Sequence, residues 1–583
     1  MGCGNGLSRD RNGQAVTGDG ATFDTIIVGG GSAGSVLANR LSARSGHRVL
    51  LIEAGIDTPP GQVPADILEM FPKAALNPTY KWMKLVAYTQ SLRRNYPRPP
   101  MPVLYDQGKV MGGGSSINYQ AANRGAPEDY DEWAELGAAG WGWQGVLPYF
   151  RKLEDDADFG GSALHGKGGP LPVQRMRRED WCGYTNAVAQ ALEKAQLPYL
   201  KDQNGAFVDG YFAATQNNRN GQRVSAALAY LGDDVRRRAN LRILSQSQVQ
   251  ALLFDGRKVT GATVQTPRGV ETFHANEIIL SAGAVHSPAM LLRAGIGPAA
   301  QLSALGIKVL HDLPGVGDNL RDHPGIGLLA YITSGARGAP ESRPLQISFR
   351  YSSKIADCPP SDMFTAVFGR GGWHGVGRRL GMAMTWVNKS YSAGRVSLQS
   401  TNWQDEPKVE LNYFDDQRDL ARLKSGLRFL IELFDAAPVR QATRTPIGFR
   451  LSPRARAAAA VNFKNQMKMG AAGLLLDGPA AVRDAIIRDK ISEAPPLSDM
   501  IADDGVLEDF VRATAMGIKH LSCTCRMGHD TDPKAVTRTD GTVKGIGGLR
   551  VVDASIMPNL PRCNTNLTTL MIAEKMADKV LSS

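Results

Sequence analysis

The sequence predicts an α/β protein with added α+β elements. One domain is a nucleotide-binding unit on a parallel sheet, assembled from separate parts of the chain, and the other is sheet plus helices. Three observations lead there: a glycine-rich strand–turn–helix unit near the start, a similar unit in the middle, and a matching buried strand near the end. A chain of 583 residues is also too long for one compact core, so at least two domains are expected.

The first unit carries the strongest signal. Thr25 to Val28 is a short β-branched and apolar run, the pattern of a strand buried on both faces. Gly29, Gly31 and Gly34 follow at G-x-G-x-x-G spacing, and Ser35 to Leu41 opens a helix. One glycine makes the tight turn, one lets a pyrophosphate reach the backbone, and one lets helix and strand pack closely. The pyrophosphate then meets the positive end of the helix. A second apolar run, Arg48 to Ile52, ends at Glu53, placed to accept hydrogen bonds from ribose hydroxyls. Glycine-rich turns are common, and the triplet alone is weak. Strand, glycines, helix, strand and acid within about thirty residues make a Rossmann-like dinucleotide site the best reading.

Residues 57 to 106 show little periodicity and many prolines, and read as a long surface excursion. Gln107 to Asn118 contains three successive glycines and two serines, which suit neither a helix nor a strand interior. They suit a loop whose backbone approaches a flat ligand. The aromatic-rich segment 130 to 155 reads as mostly helical core. Strands are expected at 241 to 244, 249 to 254, 259 to 264 and 271 to 280, with Val249 a candidate backbone contact to an adenine. The last strand runs into Ser281-Ala-Gly283, and a helix is expected from about Ser287-Pro288. Extended stretches near 382 to 387 and 395 to 398 precede helices at 415 to 435 and 455 to 515. Leu549 to Asp553 returns as a buried strand, and Leu567 to Leu581 as a closing amphipathic helix. The expected division follows. Residues 1 to 21 are a polar, glycine-rich leader expected to be disordered. Residues 22 to 130, 205 to 330 and 520 to 583 bind the nucleotide, and 131 to 204 with 331 to 519 bind substrate.

Composition narrows the function. With 43% hydrophobic and 21% charged residues the chain is an ordinary globular protein. No apolar run reaches the length of a membrane span. The net charge of +11 is spread along the chain, with short clusters only at Arg236 to Arg238 and Arg450 to Arg456. Solvated surface explains it better than nucleic acid. The six cysteines have neither a disulfide framework nor metal spacing. Free thiols, no metal and a cytoplasmic location are expected.

Three further stretches resemble the glucose–methanol–choline (GMC) flavin oxidoreductases. Gly108 to Asp131 resembles the family's first signature, with Met111 at a position usually held by another apolar residue. Gly283 to Pro288 through Ala294 to Gly297 resembles the second, with Ala294 for a usual Ser. His520, Thr524 to Gly528, Asp553 to Pro558 and Asn564 to Asn566 resemble its catalytic end. The resemblance runs from about residue 22 to the end, and is greatest to members that oxidise aryl and furanic alcohols.

It implies FAD, held by Gly29, Gly31, Ser32, Ala33, Gly34, Glu53, Ala54, Val249, Asp553, Ala554, Thr565 and Asn566, its ring against Gly112, Ser116 and Asn118. In some relatives a His in that loop bonds to the flavin. Ile117 stands there, so dissociable FAD is expected. Alcohol oxidation needs a base for the hydroxyl proton while hydride leaves for the flavin, and histidine has the right pKa range. The motif selects His520, with Asn564 orienting the substrate oxygen. His47, His165, His274, His286, His311, His323, His374 and His529 read as surface or packing residues. Met384, Trp386 and Lys519 are expected at the substrate. Lys519 either points into the pocket, favouring acid-bearing alcohols, or alternates outward as an ordinary solvated lysine. It stands where the furan-oxidising relatives carry Trp, and Cys523 where the family usually has Gly. The helix starting near Asn566 would place its positive end by the flavin. Electrons then pass to O2 or another acceptor. A hydroxynitrile-lyase-type member, an acceptor-dependent dehydrogenase and a non-catalytic nucleotide binder are the competing readings.

Overall fold

The computed structural model describes residues 22–92 and 100–582, so the expected leader lies outside the described residues. In chain order the elements used below are β1 (Phe23–Val28), α1 (Ser32–Ser42), β2 (Val49–Ile52), α2 (Pro127–Glu135), α3 (Trp143–Leu153), β3 (Gly210–Ala213), β4 (Leu241–Leu244), β5 (Gln248–Asp255), β6 (Lys258–Thr266) and β7 (Gly269–Leu280). They continue with α4 (Gly283–Arg293), β8 (Pro324–Ile332), β9 (Leu345–Tyr351), β10 (Met363–Phe368), β11 (Leu380–Val387), α5 (Gln417–Asp435), β12 (Thr443–Gly448), α6 (Phe463–Leu476), β13 (Leu549–Val551) and α7 (Thr565–Ser582).

The first sheet runs β4-β2-β1-β7-β6-β5, with β13 also on β7. β4, β2, β1, the second half of β7 and β13 are parallel, in register Leu51↔Ile27↔Ile279. β1 and β2 are near-continuous Val, Ile and Leu because both of their faces are buried. β5 and β6 add an antiparallel extension. α4 begins at Gly283, four residues before the expected start, because Gly283 takes φ +82 and turns the chain directly out of the strand.

The second sheet is antiparallel, β12-β8-β11-β10-β9-β3. α5 packs a buried apolar face that includes Leu423, Leu427 and Leu430 against one side. The helix expected over 455 to 515 is broken into α6, Ala480–Ile486, Leu497–Ala502 and Asp504–Thr514, with Gly478-Pro479 and Pro495-Pro496 interrupting it.

Three other expectations change on packing grounds. Gly210–Ala213, expected with the nucleotide domain, is the edge strand β3 of the second sheet. The aromatic segment of α2 and α3, expected with the substrate domain, joins the first core. Tyr130, Trp133, Trp143 and Phe150 share a cluster with Leu570 and Met571 of α7, and Trp133 Nε1 donates to the Asn559 carbonyl at 2.8 Å. The stretch 57 to 106 is more than a surface excursion. Its Ile67, Ala74 and Tyr80 bury a small cluster with Val110 and Ile117 beneath the glycine loop. No described helix is long and apolar enough to cross a membrane.

Candidate active site

One cavity of about 600 Å3 extends from the C-terminal ends of β1 and β2 to the face of β11. Its nucleotide end is shaped by glycine. Gly29 takes φ +104, and a Cβ there would lie 2.5 Å from the Ser281 carbonyl oxygen. A Cβ on Gly34 would lie 1.9 Å from the Gly29 oxygen. Both are required by packing, whereas Gly31 lines the cavity itself, with only Gly113 Cα near at 3.9 Å. Ser32, Ala33, Glu53, Ala54, Val249, Asp553, Ala554, Thr565 and Asn566 also line it.

Glu53 is held by backbone: Oε2 accepts from Gly30 N–H at 2.8 Å and Oε1 from Gly55 N–H at 2.7 Å. Burial pushes its pKa up, and those two donors oppose the shift. Asp553 accepts from Gly283 N–H at 2.8 Å, Ser287 O–H at 2.6 Å and Ser555 N–H at 2.8 Å, again opposing burial. Ser32 Oγ donates to Asn566 Oδ1 at 2.7 Å, so the positive ends of α1 and α7 converge on the cavity. A glycine floor, two buried acids and two helix N-termini fit a dinucleotide such as FAD.

The glycine loop departs from expectation in detail. Gly113, Gly114, Ile117 and Asn118 line the cavity, whereas Gly112 and Ser116 do not. Gly112 (φ +85) donates its N–H to the Gly30 carbonyl at 2.7 Å, and Ser116 Oγ donates to the Met111 carbonyl at 2.7 Å. They shape the loop from behind. So does Arg223, which sequence reasoning missed. It donates to the Ser115 carbonyl at 3.1 Å and Asn118 Oδ1 at 2.8 Å, and burial lowers its pKa to about 9.

At the other end Met516–Gly517 pairs with Pro324–Gly325 of β8, and Ile518 N–H donates to the His323 carbonyl at 3.0 Å. This brings His520 against His323, with 2.8 Å between their Nδ1 atoms. His520 Nε2 lies 3.0 Å from Asn564 Nδ2. An amide nitrogen only donates, so in this network Nε2 carries the lone pair and Nδ1 the proton. His520 Nδ1–H then donates to His323, whose own proton sits on Nε2. Burial lowers the His520 pKa to about 3 and pushes that of His323 well down. Both rings are neutral. His323, expected as a packing residue, instead fixes the tautomer of His520.

Asp322 anchors this end. Oδ1 accepts the backbone N–H of His323 at 2.8 Å and of His520 at 2.9 Å. Oδ2 accepts the hydroxyls of Tyr105 and, at 2.8 Å, Tyr413. No motif spacing marks Asp322 or the two tyrosines. Lys519 takes φ +69, which breaks strand alternation and turns it, like His520, to the cavity. Its Nζ lies 3.9 Å from the Tyr105 ring centroid. Lys519 is exposed by area because it faces the open cavity, yet the surrounding protein lowers its pKa by desolvation against the pull of Asp106 and Asp322. Met384 and Trp386 form the opposite wall from β11, Trp386 stacked on Phe364 at 4.7 Å. Cys523 takes φ +74, a conformation glycine adopts without strain, which explains why Gly is usual there.

The acids and His with metal-like spacing, Glu154, Asp156 and His165, are tied up in ion pairs, Glu154 through Oε2 alone while its Oε1 is buried without a partner. Arg124 pairs with Glu154 at 2.6 Å, Arg175 with Asp156 at 2.9 Å, and His165 contacts Glu154, Asp156 and Asp202. Burial acts to lower the His165 pKa, but these carboxylates outweigh it and raise it to about 10, so the ring is a cation.

A dinucleotide cradle opening onto a neutral imidazole, its Nε2 lone pair met only by the Asn564 amide, defines the class: an oxidoreductase of the flavoenzyme type. Residues 23–325 match the N-terminal and residues 390–573 the C-terminal domain of the GMC oxidoreductases. The chain is 44% identical to 5-(hydroxymethyl)furfural oxidase of Methylovorus sp. (strain MP688), over 96% of this chain and 99% of that one. It is 32% identical to an alcohol dehydrogenase (acceptor) of Pseudomonas putida, over 96% of each. The crystal structure of pyridoxine 4-oxidase from Mesorbium loti superposes with a TM-score of 0.78 at 28% identity, covering 96% of this chain and all of that one. The chain belongs to the GMC oxidoreductase family, and that membership implies FAD as its cofactor.

Proposed function

We propose that the protein oxidises a primary aromatic or furanic alcohol to the aldehyde, with His520 as base and Asn564 as orienting donor. One observation carries this reading: the unprotonated Nε2 of His520 faces the cavity, 3.0 Å from the Asn564 amide. Nε2 takes the hydroxyl proton, and the Asn564 amide, freed from Nε2, donates to the substrate oxygen. Asp322 holds the backbone of His520, and His323 its ring, so the lone pair points one way before substrate arrives. Bound FAD supplies the acceptor for the hydride leaving the alcohol carbon. Met384 and Trp386 offer an apolar wall for a flat ring. The 44% relative is named an oxidase, and this supports O2 as the electron acceptor. Anaerobic addition of a panel of primary aryl and furanic alcohols should bleach the flavin, and oxygen should restore its colour. A FAD-loaded protein that no alcohol bleaches overturns the proposal.

The same reading takes the chain as two domains, with β3 in the second and α2–α3 in the first. Cys182, Cys358, Cys523, Cys525 and Cys563 are free thiols, which supports a reducing, cytoplasmic setting. The FAD is taken to be non-covalent, supported by Ile117 at the cavity wall where no nucleophile stands. Acid or heat is expected to release free FAD into the supernatant. Flavin that stays with the precipitate would show a covalent bond.

Lys519 refines the substrate class. An ammonium on the cavity wall offers a charge-assisted hydrogen bond to a distal carboxylate or phenolate, worth roughly 1.5–3 kcal/mol. An acid-bearing alcohol is therefore expected to exceed its neutral analogue in kcat/KM by about tenfold to a hundredfold. Lys519→Met should erase this preference and spare the neutral alcohol. Equal handling of a matched pair by the unaltered enzyme removes Lys519 from substrate selection.

A further inference from the structure

A second hollow, of about 230 Å3, lies in the half built on the second sheet. Successive residues of β9 face opposite ways, Leu345 lining the active-site cavity and Gln346 this one. Its wall is basic: Arg337, Arg343, Arg370, Arg378 and Arg379 all line it. Two of the five are compensated. Arg337 and Arg379 share Asp477, each with a guanidinium nitrogen 2.6 Å from one of its oxygens.

The other three have no such partner. Among the described residues none of Arg343, Arg370 and Arg378 has a carboxylate oxygen within 4.0 Å. Arg343 Nη1 and Arg370 Nε are buried without a hydrogen-bond partner. Arg370 does donate to the Pro340 carbonyl, which is neutral. Partial burial lowers the pKa of both guanidiniums, and Arg378 adds to the effect at Arg370. Glu69 and Glu341 act on Arg370, and Asp158 and Asp180 on Arg343, only through longer-range attraction. An arginine cannot shed its proton to relieve crowding, so uncompensated guanidiniums around a hollow call for an anion. With roughly 30 Å3 per water in the liquid, the hollow has room for a tetrahedral oxyanion and some hydration. The planar fork of arginine matches phosphate oxygens two at a time.

We propose that this hollow binds a phosphate group, held by Arg343, Arg370 and Arg378. Two sources share that chemistry. One is free inorganic phosphate. The other is a lipid headgroup, because α6 ends at Asp477, the carboxylate shared by Arg337 and Arg379, and its outer face is apolar and basic. Phe463 is 77%, Met467 60% and Leu474 68% exposed, and Lys464 and Lys468 are exposed beside them. Such a face suits an anionic bilayer surface.

The FAD-loaded protein is titrated calorimetrically with inorganic phosphate, against chloride at matched ionic strength. It is then sedimented with phosphatidylcholine vesicles with and without phosphatidylglycerol. Saturable phosphate binding, weakened about tenfold or more in an Arg343→Gln, Arg378→Gln double variant, assigns free phosphate. Sedimentation that depends on phosphatidylglycerol and is lost in the same variant assigns the headgroup. Either result upholds the site. Arg378 is exposed, so Arg378→Gln alone tests the site without endangering the fold and should also weaken binding. Binding of neither phosphate nor phosphatidylglycerol vesicles, or binding that Arg378→Gln and the double variant leave unchanged, overturns the proposal.

Discussion

Replacing His520 by alanine is expected to slow flavin reduction by about two to four orders of magnitude, the usual worth of a positioned base, while FAD stays bound. The Asn564 amide beside His520 has no basic site in the required range. Asn564→Ala should slow reduction less, by about twofold to tenfold, because a neutral hydrogen bond contributes only about 0.5–1.5 kcal/mol. The wild type has a pH signature of its own. The His520 pKa is lowered to about 3, against 6.5 for an ordinary imidazole, so the folded enzyme keeps its base neutral as pH falls through 6.5. Reduction rates should therefore stay level well into the acid range. Stability should instead decline below pH 6.5, since the unfolded chain takes up the proton that the native site refuses. Rapid-mixing rates across pH decide both points. A His520→Ala enzyme reduced at near wild-type rate, or a wild-type rate that falls with an ordinary pKa near 6.5, would remove His520 from the proposed role.

Gly34→Ala is expected to abolish FAD binding and to destabilise the protein by more than about 4 kcal/mol, at the extreme for single substitutions. The added methyl would stand 1.9 Å from the Gly29 carbonyl oxygen and 3.0 Å from its carbon. Those atoms are backbone and have no room to yield. Gly29 itself takes φ +104 and is packed against the Ser281 carbonyl, so the turn cannot back away. α1 would have to lift off β1, withdrawing its N-terminus from the pyrophosphate position. Gly46→Ala is the matched control, because a Cβ there meets nothing within 4 Å. Flavin absorbance per mole of protein and the melting temperature report the outcome. A yellow, normally melting Gly34→Ala protein would show that α1 can pack at a greater distance.

The nucleotide end was legible in sequence because its determinants are local. Strand, glycines, helix and acid lie within a few dozen residues, and the conformations they need restrict residue choice. The far end was legible only in part. His520 and Asn564 came from motif resemblance, and the structure sets them 3.0 Å apart. His323 escaped because its partner lies 197 residues away, and the pairing of Met516–Gly517 with Pro324–Gly325 leaves no periodic trace. Lys519 could not be oriented by strand alternation, since a left-handed lysine is not foreseeable from residue type. Trp133, Trp141 and Trp143 were read correctly as core, but which core depends on α7, some four hundred residues later.

The two residues proposed for proton handling arrive from different halves of the molecule. His520 hangs from the second sheet through Met516–Gly517, whereas Asn564 immediately precedes α7 of the first core. Recombining domains between relatives to change substrate range therefore cuts across the pair. A chimera that imports a foreign second sheet also imports a new backbone setting for its histidine, while its asparagine stays with the host. The splice between β8, residues 516–524 and the start of α7 thus governs whether a hybrid turns over at all, before any question of which alcohol it accepts.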